Sequence, residues 1–305
     1  MQTVLGSNGQ IGQEIVKALY QNYTKDLRLV SHHPKKIHET DQLVSADLTR
    51  AEETNQAIKG SEIVYFAVGL PMNTALWEAQ FPTVVKNVIE ACIENNSKLV
   101  FFDNTYMYAK NSNVQTESSP FVPKGRKSVI RANIAEMVQD KMNSGELQAV
   151  ICRAPEFYGP AKTQGITNTM VFDRVKAGQA AKIPINDRTL RSLIWTPDAS
   201  KATALIGNTP DAYGQVWHLP CAEGVSYQDI IKITEQVTNQ TVKFSVIKMW
   251  QFRLGSLFNP KIKELMELLP RYKYDNNFNS DKFKAKFPDF KITSFEEGIS
   301  KIFEK

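Results

Sequence analysis

Two periods alternate along the first 150 residues. Nearly continuous apolar runs at 3–5, 27–30, 43–46, 63–68, 98–102 and 147–152 read as strands. Between them lie segments with a helical repeat. Ile11, Ile15, Ala18 and Leu19 recur at i, i+4, i+7 and i+8, and Val84, Val85, Val88, Ile89 and Ile93 form one face of a helix predicted over 74–95. Shorter helices are predicted at 51–58 and 126–142. Apolar runs without alternation, separated by helices, indicate parallel strands covered on both faces. The order βαβα makes the fold class α/β, with a doubly wound parallel sheet of the Rossmann kind. After about residue 158 the alternation loosens, and the segments 171–177, 190–196, 197–206, 215–218, 227–237 and 242–247 read as a smaller α+β layer built on that sheet. The apolar stretches 249–258 and 265–269 read as a helical lid or as part of the core.

Composition narrows the class. The chain has 305 residues, 42% of them hydrophobic and 23% charged, which excludes a disordered protein and allows a core that needs no disulfide or metal. Cys92, Cys152 and Cys221 are far apart and form no metal-ligand or disulfide pattern, as suits a reducing compartment. No apolar run approaches the ~18 residues that span a bilayer, and Gly6 interrupts the N-terminus too early for a signal peptide. These features predict a soluble, cytoplasmic protein with no membrane partner. The formal charge of +5 is unevenly distributed. Residues 243–291 hold eleven cations against five acids, a surplus of six, so the remainder carries a net −1. No nucleic-acid reading motif accompanies that surplus, and no nucleic-acid partner is expected.

Gly6-Ser7-Asn8-Gly9-Gln10-Ile11-Gly12 lies between the first strand and the first helix. Glycines at this spacing allow a tight turn and a close backbone approach, and the helix N-terminus then offers free N–H groups to a phosphate. The flanking strand and helix make this a dinucleotide-binding loop. NAD sites place an Asp or Glu about 20 residues further on to hold the ribose. Here that stretch reads Val30-Ser31-His32-His33-Pro34-Lys35-Lys36, without an acid. His32 and its neighbours would tolerate a 2′-phosphate, so NADP is the expected cofactor, with NAD as the alternative. Residues 1–160 are accordingly expected to form the NAD(P)-binding domain, and 161–305 mainly the substrate-binding part, with some later elements returning to the first sheet.

Further segments resemble the extended short-chain dehydrogenase/reductases, the NAD(P)-dependent epimerase/dehydratase group. Asp47-Leu48 resembles the pair that contacts adenine, and Ala67-Val68-Gly69 the loop beside the cofactor after the fourth strand. Arg153-Ala154-Pro155-Glu156-Phe157-Tyr158-Gly159-Pro160 is similar to the family's R-P-x-x-x-Y-G-P run, which places Pro155 beside the nicotinamide. Residues 191–198 resemble the later R-x-F-I-x-V-x-D segment, and the likeness extends over about residues 1–240. The resemblance implies hydride transfer at a carbonyl or hydroxyl carbon, as a reduction or as the oxidise-then-reduce cycle of an epimerase, on a small-molecule or sugar-nucleotide substrate. It implies phosphate contacts from Arg188 and Arg191, and a homodimer formed through a helix pair.

The resemblance fails at the chemistry. Family members use a Tyr-x-x-x-Lys pair and an upstream Ser or Thr. Here Asp103 and Asn104 stand where two serines belong, with Asn104 on the catalytic position, Thr105 is one place off, and residues 120–131 contain no Tyr. Three readings stay open. An atypical relay would use Tyr106 or Tyr108 with Arg131 or Lys127, while Asn104 holds a substrate carbonyl. A regulatory or sensing relative would bind NADP with little turnover. Alternatively, these residues serve packing alone. Asn104, Tyr108 and Arg131 are the catalytic candidates. No metal site is expected, and the absence of G-x-S-x-G excludes a serine hydrolase of the nucleophile-elbow type.

Overall fold

The computed structural model describes residues 1–160 and 163–304, so the boundary expected after residue 160 borders residues outside the described set. In the first half, β1 (Gln2–Leu5), α1 (Gln10–Asn22), β2 (Leu27–Ser31), β3 (Gln42–Ser45), α2 (Ala51–Ile58), β4 (Ile63–Phe66), α3 (Thr74–Glu94), β5 (Lys98–Asp103), α4 (Arg126–Asn143) and β6 (Ala149–Arg153) follow in order. The second half begins with β7 (Glu156–Tyr158), a π-turn continuing into α5 (Asp173–Lys176), β8 (Ala181–Pro184), β9 (Leu193–Trp195), α6 (Thr196–Gly207), β10 (Val216–His218) and α7 (Tyr227–Thr238). It ends with β11 (Phe244–Ile247), α8 (Met249–Ser256), α9 (Pro260–Leu265), α10 (Asp281–Lys286) and α11 (Phe295–Phe303).

Seven strands pair in parallel in the order β10-β6-β5-β4-β1-β2-β3. The chain starts in the middle, winds outwards to β3, crosses back past β1 and winds the other way. That reversal opens a crevice at the strands' carboxyl ends, the place where ligands bind in such sheets. β1, β4 and β6 are buried along their whole length, which accounts for their unbroken apolar runs, whereas β3 is a largely exposed edge. One core lies between the sheet and α1 and α6, the other between the sheet and α2, α3 and α4.

The later elements divide. α6 packs along α1, and β10 completes the large sheet. The pairs β7–β9 and β8–β11, with α7 and α11, enclose a third core around Phe172, Trp195, Tyr227 and Tyr272. The segment 249–258 is a helix, but only Phe252 in it is buried. Among the described residues, no helix is long and apolar enough to cross a membrane.

Candidate active site

The glycine loop is shaped by backbone contacts. Gly6 has φ +79°, and a Cβ there would sit 2.7 Å from Ala67 O. A Cβ on Gly9 would lie 3.2 Å from Gly6 O, and one on Gly12 would collide with the same oxygen. Gly6 therefore lets the loop after β4 approach, and Gly12 lets α1 approach the loop, closer than a side chain permits, while Gly9 leaves little room. No side chain caps the N-terminus of α1. Among the described residues the backbone N–H groups of Gln10, Ile11 and Gly12 have no acceptor, which suits a bound pyrophosphate. Ser7 is buried against Val30 O and Ile11 is a core residue, while Gln10 Oε1 accepts from the backbone N–H of Gln164. Ala67 and Val68 are half-buried and Gly69 is exposed, with open space around its Cα. The residues present fit a dinucleotide.

Asn8 ties this loop to the end of β2, donating to His33 O at 2.6 Å and accepting from Lys35 N at 3.2 Å. His32 projects into solvent with Nε2 3.9 Å from Asp47 Oδ1. Thr49 donates two hydrogen bonds to Asp47, and these, with the nearby His32, hold its carboxyl below the usual range. Leu48 is buried, and its carbonyl is held by Thr54 and Asn87. His32, His33, Lys35 and Lys36 are exposed at the end of β2, with the Asp47 carboxylate near His32.

The opposite end of the crevice is built from charges that face one another. Asp103 closes β5 and is buried. Arg131 Nη2 donates to its Oδ1 at 2.6 Å, and Arg153 Nε to its Oδ2 at 2.9 Å. Arg153 also donates to the Tyr108 hydroxyl at 2.7 Å, and that hydroxyl lies 2.7 Å from His218 Nε2. His218 Nδ1 is 2.7 Å from the carbonyl of Asn279, so Nδ1 carries the proton and Nε2 accepts from Tyr108. Burial lowers the His218 pKa to about 3, which keeps the ring neutral. Burial likewise raises the Tyr108 pKa, and the adjacent Arg153 offsets this only in part. Tyr108 is therefore a neutral phenol whose hydroxyl meets Arg153, His218 and, at 3.0 Å, the carbonyl of Thr116. Arg131, stacked over Phe81, is buried in the same assembly.

Residues 257–276 cover this end. Glu264 accepts from the Thr74 backbone N–H at 3.0 Å and its hydroxyl at 2.6 Å, at the start of α3. Glu267 accepts from the backbone N–H groups of Lys127 and Ser128 at 3.1 and 2.9 Å, at the start of α4. Two carboxylates three residues apart thus cap two helices. Gly125, with φ +107°, leaves room for the Glu267 side chain. Lys127 is drawn away from the crevice to Glu264, at 2.5 Å. Further in, buried Glu156 is held by Arg191 at 3.3 Å, Arg271 at 3.1 Å and the Tyr272 hydroxyl at 2.5 Å. Burial opposes its charge, but the two guanidinium groups prevail and keep its pKa lowered. Arg191 therefore faces an internal anion, whereas Arg188 is exposed on the preceding turn.

A narrow cleft of about 20 Å³ remains, lined by Thr105, Tyr106, Lys110, Gln115, Arg271 and Asn276 among others. Asn104 follows the end of β5 and precedes the cleft residue Thr105. Its Oδ1 accepts from Tyr106 N at 3.0 Å, which leaves the amide N–H₂ free to donate. Pro155 is buried at the end of β6. Lys110 Nζ donates to the carbonyls of Lys124 and Glu267 at 2.7 and 2.9 Å, and burial lowers its pKa. Lys110, Glu156, Arg271 and the two capping glutamates are the site residues that sequence reasoning missed. Among the described residues, no cluster of three potential metal ligands exists.

Several solved structures share this fold. UDP-glucuronic acid 4-epimerase from Bacillus cereus, in complex with NAD, is 16% identical, with 98% of this chain and 96% of that one covered and a TM-score of 0.80. UDP-N-acetylglucosamine 4-epimerase from Bacillus cereus is 14% identical over 99% and 97% of the two chains, with a TM-score of 0.76. The NAD complex of UDP-glucose 4-epimerase from Thermus thermophilus is 17% identical over 99% and 97%, with a TM-score of 0.75. No curated protein matches the chain in sequence. The model of the NAD dependent epimerase/dehydratase family matches residues 2–219, which include the glycine loop, the Asp103 cluster and all seven strands of the large sheet. The chain belongs to the NAD dependent epimerase/dehydratase family.

Proposed function

We propose that the protein is an NADP-preferring oxidoreductase that reduces a small carbonyl compound, with Lys110 in place of the missing tyrosine. The observation that carries this reading is a lysine, its pKa lowered by burial, that lines the cleft with Thr105 and Tyr106. The cofactor supplies a hydride to the carbonyl carbon when bound. Gly6, Gly9 and Gly12 admit its pyrophosphate to the N-terminus of α1, and His32 with Lys35 and Lys36 accommodates a 2′-phosphate. Asp47, Leu48, Ala67, Val68, Gly69 and Pro155 line its path. Asn104 Nδ2 donates to the substrate oxygen. As the carbonyl π bond breaks, that oxygen takes a proton from the Lys110 ammonium, leaving an alcohol and a neutral amine. Arg131 and Tyr108 are positioning residues, which act through Asp103 and Arg153 to fix the end of β5.

A small substrate is favoured over a sugar nucleotide because Glu156 already occupies Arg191 and Arg271. Arg188 stays free to meet an anionic substituent. The groove between α3 and α4, lined by Lys86, Ile89, Ile93, Met137 and Lys141, suits the helix-pair homodimer. A second reading, an NADP-binding sensor without turnover, is favoured by the one observation that Tyr108 is neutral and fully engaged.

The test is an aldehyde and ketone screen at NADPH absorbance with the wild type, Lys110→Met and Asn104→Ala. Loss of general-acid catalysis predicts a fall in kcat of roughly 10²–10⁴-fold for Lys110→Met at unchanged NADPH affinity. Unchanged turnover would remove Lys110 from the mechanism. NADPH binding with no turnover on any substrate would establish the sensor, and NADH binding as tight as NADPH would refute the cofactor preference.

A further inference from the structure

α8 and α9 present two different faces. Met249, Phe252, Ile262 and Leu265 turn inwards onto the third core. Trp250, Leu254, Leu257 and Phe258 are 63%, 54%, 75% and 82% exposed. They recur at i, i+4, i+7 and i+8, so one side of this helical turn is a row of large apolar groups in water. From Gln240 to Lys263 the chain has no acidic residue and five cations: Lys243, Lys248, Arg253, Lys261 and Lys263. All five are exposed, and none forms an ion pair among the described residues. The nearest acids in sequence, Glu264 and Glu267, point inwards to cap α3 and α4.

We propose that this face docks on an anionic membrane surface, lying on the bilayer without crossing it. An aromatic and aliphatic row flanked by unpaired cations matches a boundary that is apolar at acyl depth and negative at the headgroups. A protein partner would need acids ringing an apolar pocket, and a nucleic acid would leave the row of Trp, Leu and Phe without a partner. The proposal does not depend on the reaction at the crevice.

The test uses the full chain with vesicles of phosphatidylcholine, with and without phosphatidylserine. Trp77, Trp195 and Trp217 are buried, so a shift of emission to shorter wavelength reports on Trp250. The expected result is co-sedimentation with phosphatidylserine vesicles only, a blue shift on binding, and release by salt. Leu257→Asp with Phe258→Asp, both exposed in the folded protein, should weaken binding by roughly tenfold or more, and so should Lys261→Glu with Lys263→Glu. The proposal is overturned if the wild type stays in solution, if the Leu257/Phe258 variant binds as well, or if Trp250 emission does not move. It is also overturned if the wild type self-associates without vesicles and that variant does not, or if duplex DNA binds in preference to vesicles.

Discussion

The two ends of the crevice are built on opposite plans. At the glycine loop, backbone groups are left without partners and exposed side chains wait at the rim. At the Asp103 end, almost every charge meets an internal partner: Asp103 with Arg131 and Arg153, Glu156 with Arg191 and Arg271, Lys127 with Glu264. The first end is made to receive a ligand. The second is made to hold a shape, and in the proposed reaction leaves Asn104, Thr105 and Lys110 to meet a substrate. A family fold can thus keep its cofactor cradle while the residues around the reacting atoms are rebuilt.

The contrast breaks most sharply at Asp103. Asp103→Ala leaves Arg131 and Arg153 buried without their anion and should cost about 3–5 kcal/mol in urea unfolding. Gly12→Ala forces α1 away from Gly6 and should cost about 1–3 kcal/mol while abolishing NADPH binding, read by titration of the still-folded variant. That pairing sharpens the comparison, because one change harms stability above all and the other harms binding above all.

Acid should act on the covering segment before it acts on the glycine loop. Burial opposes the Glu264 charge, but hydrogen bonds from Lys127 and Thr74 prevail and lower its pKa. A carboxylate with a lowered folded-state pKa stabilises above its unfolded value, and that contribution is lost as pH falls through the folded value. Amide exchange in residues 257–276 should therefore speed up below the ordinary carboxylate range, ahead of exchange in β1. For Lys110 the sign is reversed. Reduction needs the ammonium form, so kcat/KM should fall as pH rises through a pKa below that of an ordinary lysine. The smallest effect is expected at the rim, where His32→Glu should weaken NADPH relative to NADH by roughly fivefold.

The sequence pattern anticipates the large sheet and the glycine loop because both depend on local constraints. An unbroken apolar run such as 63–66 needs only burial on both faces, and the glycine loop is marked by its own spacing between a strand and a helix. The buried ion pairs depend on distant partners. Glu156 meets Arg191 and Arg271, 35 and 115 residues away, and nothing near Glu156 in sequence marks it as their counter-ion. Lys110 is equally silent, since its lowered pKa comes from burial in the folded chain, where its ammonium meets the Glu267 carbonyl. In 249–258 the periodicity predicts a helix, but with apolar groups on both faces it cannot tell the inner side from the outer.

Glu264 and Glu267 also act as a spacer. Because they are joined by a single turn of chain, their carboxylates fix how far apart α3 and α4 begin, and α3 runs on for 21 residues, about 30 Å. The spacing set at their first turns is therefore carried along two helices that pack against each other. Their outer surfaces form the groove around Ile89 and Met137, so the shape of that groove is tied to the contacts the two carboxylates make at the crevice.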